Sequence, residues 1–297
     1  MNKLEELSNN NKENYQRYLK RMTDSIKYST KGLIPILSKE GTNILDVGCG
    51  SGVMLTAIEN ENKTAKLTGL DLNIDAINSL KEINNNWDLY HMDFMDLHDK
   101  KYDMIIFSSI LHEISSYNSD LNKRFTEIPI KEAFIKSNEL LEDNGSVIIR
   151  DGLLSSKEDR NNKRIITFTN PNESIWLYKF QNDFRGFDKL DIDTKILEIE
   201  DNKYLVSEGF LKEFLCTYTW GEESYPREIN ERFGILTKKE WLNLLKETGF
   251  KIETIIESKE EYEKYLSSKI NIINADGSLY EYPNMSIIVK AQKQKTK

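Results

Sequence analysis

Two cysteines in 297 residues, Cys49 and Cys216, are too few for a disulfide framework or a CxxC metal site. Their scarcity suits a reducing compartment, and with only three histidines no His/Cys cluster offers a metal centre, so no metal is expected. Long hydrophobic runs are also missing. None approaches the roughly 18 residues that crossing a bilayer takes, and Met1-Asn2-Lys3-Leu4-Glu5-Glu6-Leu7 lacks the apolar core of a signal peptide. The expectation is a cytoplasmic protein with no membrane partner. Positive charge is in deficit, 41 Lys and Arg against 49 Asp and Glu, for a net −8. That disfavours a broad phosphate-binding surface and puts nucleic acid second as a substrate, although a local basic patch can hide in an acidic total. The chain shows no internal repeat, and its one biased tract is an Asn-rich start.

With 38% hydrophobic and 30% charged residues the chain reads as an ordinary globular protein, long enough for one large domain or for a core with a substantial insertion. Its most informative stretch is Ile44-Leu45-Asp46-Val47-Gly48-Cys49-Gly50-Ser51-Gly52, an apolar strand running into a glycine-rich turn and then into the helix-like Val53-Met54-Leu55-Thr56-Ala57-Ile58. Closely spaced glycines between strand and helix let backbone approach a ligand with no Cβ in the way. A dinucleotide fingerprint reads G-x-G-x-x-G, with pyrophosphate at the helix N-terminus. Here the spacing is G-x-G-x-G, and Val53 stands where the third glycine would be.

From residue 43 to 151 strands and helices alternate with short connections, the signature of a parallel sheet wrapped by helices. The pattern predicts strands at 43–47, 66–71, 87–91, 102–108 and 146–151, with helices at 52–60, 74–84 and 127–142. Right-handed crossovers would bring every strand's C-terminal end to one edge, where such folds bind ligands. The second strand ends at Asp71-Leu72, about twenty residues past the glycine turn, where nucleotide-binding folds put the carboxylate that accepts both ribose hydroxyls. The third gives Tyr90-His91-Met92-Asp93-Phe94, and the fourth runs through Phe107-Ser108-Ser109 into Ile110-Leu111-His112-Glu113.

Downstream, Thr237 with Glu240 reads as a capping box opening a helix, Gly249 ends it, and strands are expected at Lys251–Ser258 and Met285–Ala291. Between lie some eighty residues, 152–235, too long for a loop and rich in aromatic and charged side chains. They leave the sheet at its ligand edge and are expected to roof it as a lid or substrate-recognition subdomain. Upstream, Tyr15, Tyr18, Leu19, Met22 and Ile26 recur at helical spacing, predicting an N-terminal helical layer in which Tyr15, Arg21 or Tyr28 could close over a ligand. The divisions are thus 1–38 for this segment, 39–151 with 236–297 for the core, and 152–235 for the insertion.

Taken in order, these features resemble the class I S-adenosylmethionine-dependent methyltransferases, well over residues 30–151 and loosely over 235–291. The resemblance implies an α/β fold, Rossmann-like, with a seven-stranded, mostly parallel sheet, helices on both faces and a last strand that is antiparallel. It implies S-adenosyl-L-methionine as cofactor, S-adenosyl-L-homocysteine as product, and direct displacement of the methyl group. Asp46, Gly48, Cys49, Gly50 and Gly52 would form the first cofactor motif, and Asp71 and Leu72 the ribose site. Asp93 would accept from the adenine amine with Phe94 or Met92 packed on the ring, and Ser108 and Ser109 would flank methionine and sulfonium. His112, whose ordinary pKa lies near neutrality, is the candidate general base. His112 and Glu113 are neighbours and are not expected to face the same way on a helix.

For the acceptor, Arg150 and Arg227 could grip a carboxylate or phosphate, walled by Tyr218, Trp220 and Tyr225. The same arginines could instead be hinge residues paired with Asp151 and Glu228. A small or medium-sized organic acceptor is the leading expectation. One alternative is an RNA or protein methyltransferase using Lys157, Arg160, Lys163 and Arg164, and another is a catalytically silent, S-adenosylmethionine-binding regulatory protein.

Overall fold

The computed structural model describes residues 42–294, with backbone alone for Glu260 and Glu261. The expected N-terminal helical layer, with Tyr15, Arg21 and Tyr28, lies outside the described residues.

Strands β1 (Asn43–Val47), β2 (Lys66–Asp71), β3 (Asp88–His91), β4 (Tyr102–Ser108), β5 (Leu141–Gly152), β9 (Phe250–Ser258) and β11 (Ser286–Lys293) form one sheet in the order β3-β2-β1-β4-β5-β11-β9. Strands β1 to β5 pair in parallel and β11 runs antiparallel to both neighbours, so the expected architecture is present. Its centre reads as near-continuous apolar sequence because both faces are covered. One face carries Leu45, Ile105, Phe107, Val147 and Ile149 against α4 (Ile128–Leu140) and α8 (Lys238–Glu247). The other carries Ile44, Met104, Ile106 and Ile148, together with Met54, Leu55 and Ile58 of α1 (Val53–Glu61) and Ile77 and Leu80 of α2 (Ile74–Ile83). Helix α2 starts where Asn73 accepts from Asp75 N and Ala76 N, and α8 where Thr237 and Glu240 close the expected capping box.

Strand order reverses between β1 and β4, and the helices that follow them cover opposite faces of the sheet, which opens a crevice at the C-terminal edge. Over this edge stand α3 (Leu111–Ser116) and a second sheet, β10-β6-β8-β7, built from β6 (Lys163–Phe168), β7 (Leu197–Glu200), β8 (Lys203–Ser207) and β10 (Ile270–Asn274). Its core is aromatic: Phe180, on α5 (Ile175–Asp183), meets Phe210 and Phe214, on α6 (Glu208–Trp220), at 5.5 and 5.8 Å.

The boundaries differ from the expected 152–235 in one respect. Strand β10 and α9 (Glu260–Leu266) come from the segment assigned to the closing core, yet Ile270 pairs with Phe168 and Leu266, Ile272 and Met285 complete the aromatic cluster. The second sheet needs this strand to cover one side of β6. Its two chain segments meet the core where Leu154 N donates to the Leu236 carbonyl at 2.9 Å and Leu153 N to that of Met285 at 3.0 Å. Among the described residues no helix is long and apolar enough to cross a membrane.

Candidate active site

Gly48, Gly50 and Gly52 have φ of 71, 48 and 72°, the left-handed region that favours glycine. Gly48 N and Cys49 N donate to the Leu70 carbonyl at 2.8 and 3.0 Å, anchoring the turn to β2. Gly50 N donates to Asp71 Oδ2 at 2.8 Å, and Asn73 N to Asp71 Oδ1 at 2.8 Å. The carboxylate at the end of β2 is thereby aimed over the turn, and burial pushes its pKa up while these two amides hold it down.

Open backbone is only part of what the glycines provide. A Cβ at Gly48 would lie 2.6 Å from the Ile110 side chain, and one at Gly52 2.6 Å from Leu80. Cys49 touches the turn by its backbone alone, because its side chain turns into the core beside Gly69. Asp46 is also buried, and desolvation with the charge of Asp71 pushes its pKa up to about 8. Neither side chain reaches the open edge, so their part in a cofactor site is to shape the turn.

Asp93 is exposed at the end of β3 and accepts from Met95 N at 2.9 Å. Phe94 departs from expectation: it is buried in the core, edge-on to Phe107 at 5.3 Å, and cannot wall a base. Apolar surface beside Asp93 comes instead from Met92, with Met95 and Leu72 exposed at 43% and 41%. His91 Nε2 lies 3.0 Å from the Leu72 carbonyl, a structural contact. Ser109 has φ of 57° and takes a hydrogen bond from Arg150 Nη1, while the buried Oγ of Ser108 has no partner.

His112 is not where base chemistry needs it. It is 3% exposed, its ring lies 4.7 Å from that of Phe233, and its Nδ1 stands 2.7 Å from Asp151 Oδ1. Its Nε2 faces Glu231 Oε2 at 3.7 Å. Burial disfavours the charged ring, but Asp151 and Glu231 outweigh it and raise the pKa well above the ordinary value. As found, His112 holds its proton at neutral pH. Asp151 Oδ2 also accepts from Leu111 N and His112 N at 2.9 and 3.2 Å, fixing the start of α3.

The two arginines do not join in a fork. Arg227, on α7 (Tyr225–Glu228), donates from Nη2 to Glu113 Oε1 at 2.7 Å and from Nε to Glu231 Oε1 at 2.8 Å. This is the hinge reading with different partners from Asp151 and Glu228. Tyr117 also donates to Glu231 Oε1, at 2.9 Å. Burial works against ionising Glu231, yet Arg227 and His112 hold its pKa well below the usual carboxylate range. Contrary to expectation, His112 and Glu113 converge, because α3 has only six residues and Glu231 reaches between them; one ligand atom from each of the three lies within 4.8 Å of the others. The cation those carboxylates hold is Arg227.

Tyr218 packs on Phe214 and Phe168 at 5.2 and 6.1 Å, in the core of the second sheet rather than on a ligand wall. Trp220 is half-buried against the same core, and Tyr225 donates to Asp183 Oδ2 at 3.1 Å. Three of the four residues of the basic patch are likewise engaged: Arg160 is buried, Lys163 pairs with Asp193 at 2.6 Å and Arg164 with Glu208 at 2.7 Å, while Lys157 is exposed. Asp151 was legible as a residue ending strand five. Glu231 and Tyr117 carried no sequence signal beyond the i,i+4 spacing of Arg227 and Glu231.

The edge suits an adenosine: a half-exposed Asp71 oriented over the glycine turn and an exposed Asp93 follow the C-terminal ends of the neighbouring strands β2 and β3, with Leu72 and Met95 exposed beside them. A family model described as "Methyltransferase domain" matches residues 38–249. No curated protein matches the chain. Among solved structures, an S-adenosylmethionine-dependent methyltransferase from Mesorhizobium loti is 14% identical with a TM-score of 0.50, over 89% of this chain and 97% of that one. A TehB-like SAM-dependent methyltransferase from Corynebacterium glutamicum is 12% identical with a TM-score of 0.49, over 96% and 100%. The pyocyanin biosynthetic protein PhzM is 16% identical with a TM-score of 0.45 over 88% of this chain, which spans 53% of its length. Likeness at these identities is likeness of fold.

Proposed function

The chain belongs to the methyltransferase-domain family; from that premise we propose that it uses S-adenosylmethionine to methylate a small or medium-sized organic acceptor by direct displacement. The observation that carries the reading is the hydrogen bond from Gly50 N to Asp71 Oδ2, which aims the strand-end carboxylate over the glycine turn. Bound there, the cofactor supplies a methyl carbon already activated by a sulfonium. Asp71 accepts the ribose hydroxyls and Asp93 the adenine amine, with Leu72, Met92 and Met95 against the ring. The glycine turn with Ser108 and Ser109 lines the methionine end. What these residues contribute is alignment and exclusion of water.

His112 enters as a fixed positive charge, because Asp151 and Glu231 both favour its protonated ring. It helps keep Glu231 ionised, while Asp151 orients the start of α3. A small acceptor agrees with the enclosed, aromatic second sheet, and three of the four basic residues that favoured an RNA acceptor, Arg160, Lys163 and Arg164, are engaged by internal partners, while Lys157 is exposed. Calorimetric titration with S-adenosylmethionine tests the reading. Binding is expected, and its absence both alone and with candidate acceptors contradicts it.

A further inference from the structure

Three side chains of metal-ligand type meet where the insertion closes on α3. One ligand atom each from His112, Glu113 and Glu231 lies within 4.8 Å of the others, and the side chains are only 4, 14 and 2% exposed. His112 and Glu113 belong to the core, whereas Glu231 follows α7 in the insertion. His112 Nε2 and Glu231 Oε2 face each other at 3.7 Å, too long for an N–H···O hydrogen bond. Both are braced from behind. Asp151 Oδ1 stands 2.7 Å from His112 Nδ1, the arrangement by which a carboxylate fixes a metal-binding histidine and turns its other nitrogen to the ion. Glu231 Oε1 takes Arg227 Nε at 2.8 Å and Tyr117 OH at 2.9 Å, and Glu113 Oε1 takes Arg227 Nη2 at 2.7 Å. Arg227 thus engages one oxygen of each glutamate, and the second oxygen of Glu231 is the one turned to the imidazole.

We propose that His112, Glu113 and Glu231 bind a divalent transition-metal ion, zinc in chemical type, which ties the insertion to α3. Bonds of about 2.1 Å to nitrogen and oxygen put two ligands 3.7 Å apart at an angle of about 120°. The three atoms, now within 4.8 Å, need to close to about 3.5 Å to share one ion. One imidazole with two carboxylates suits such an ion, whereas magnesium and calcium take oxygen alone.

The scarcity of cysteine and histidine in the chain is no obstacle to a set that needs a single imidazole. Charge balance agrees with it. Asp151, Glu113 and Glu231 together carry three negative charges against the one positive charge of Arg227, and a divalent ion cancels the remaining two. On binding, the ion takes the place of the proton on His112 Nε2, while Nδ1–H still donates to Asp151. Arg227 and Tyr117 stay behind the carboxylates as hydrogen-bond donors.

The test is titration of the tag-free, full-length protein, stripped with a chelator and dialysed, with zinc by calorimetry and with cobalt(II) by visible absorption. One ion should bind per chain, the cobalt form should show the strong visible bands of a four- or five-coordinate site, and zinc should slow proteolytic cleavage within 152–235. Glu113→Gln and Glu231→Gln, each checked for folding by circular dichroism, should weaken zinc binding at least about tenfold, and Asp151→Asn, which touches no ion, by about 10–100-fold. Imidazole NMR of the wild type reads the same claim without a variant: of the three histidines, zinc should move the ring signals of His112. No binding to the folded protein, binding undiminished in the glutamine variants, movement of the His91 or His98 signals instead, or unchanged cleavage overturns the proposal. Failure of S-adenosylhomocysteine to bind overturns the methyltransferase reading and leaves the metal site standing.

Discussion

Arg227 Nη2 donates to Glu113 Oε1 at 2.7 Å across 114 positions of chain, joining the second subdomain to the core beside the ligand edge. The same guanidinium holds Glu231, and both of its contacts are largely withdrawn from solvent. One side chain thereby closes the roof onto α3.

Arg227→Met removes the cation from two enclosed carboxylates. Breaking a buried pair by removing one partner costs about 3–5 kcal/mol, and the partial exposure of Arg227 places the expected loss near the lower end. Urea unfolding should show it, and limited proteolysis should cut within 152–235 sooner than in the wild type. Arg227→Lys, which keeps the charge but loses the fork, should fall between.

Gly152 is the tightest point of the hinge. A Cβ there would lie 2.1 Å from the Phe233 carbonyl oxygen, a backbone atom that cannot swing aside. Gly152→Ala should cost about 1–3 kcal/mol through overpacking. Its melting temperature should drop, whereas Gly277→Ala has open space around the added carbon and only the strain of a φ of 84° to bear.

Two buried groups give stability the same dependence on pH. Asp46 is pushed up from 3.8 to about 8 in the fold, which therefore holds a proton the unfolded chain releases. Its favourable share is fully present below pH 3.8 and is lost as pH rises towards 8. His112, raised well above 6.5, contributes stability that is complete below that value and lost as pH passes its folded pKa. Asp46→Asn removes the first share, so between pH 4 and pH 8 the variant should lose less stability than the wild type in urea titrations. Equal losses would show that Asp46 is ionised in the fold.

The sheet was legible because a parallel strand buried on both faces writes itself as an apolar run, and β1, β2 and β4 begin and end where their runs do. Asp71 was legible for the same reason: the turn and the strand end fix its place through backbone alone. Phe94 was misread because an aromatic next to a strand-end carboxylate can point either way, and here Phe107 takes it inward. His112 was misread through its ordinary pKa, which two carboxylates from distant parts of the chain reset. Glu231 lies 119 positions beyond His112, and no local pattern announces a contact across an insertion. The share of 260–274 in the second sheet was hidden likewise, since strand pairing with β6 depends on tertiary partners.

The central claim is that the turn and Asp71 form the ribose end of an S-adenosylmethionine site. Calorimetric titration of S-adenosylhomocysteine into the wild type and Asp71→Ala, with folding checked by circular dichroism, tests it most directly. The account predicts binding to the wild type and a loss of about 100-fold or more in the variant, since two charge-assisted hydrogen bonds of about 1.5–3 kcal/mol each disappear. Equal affinity in the two folded proteins would contradict it.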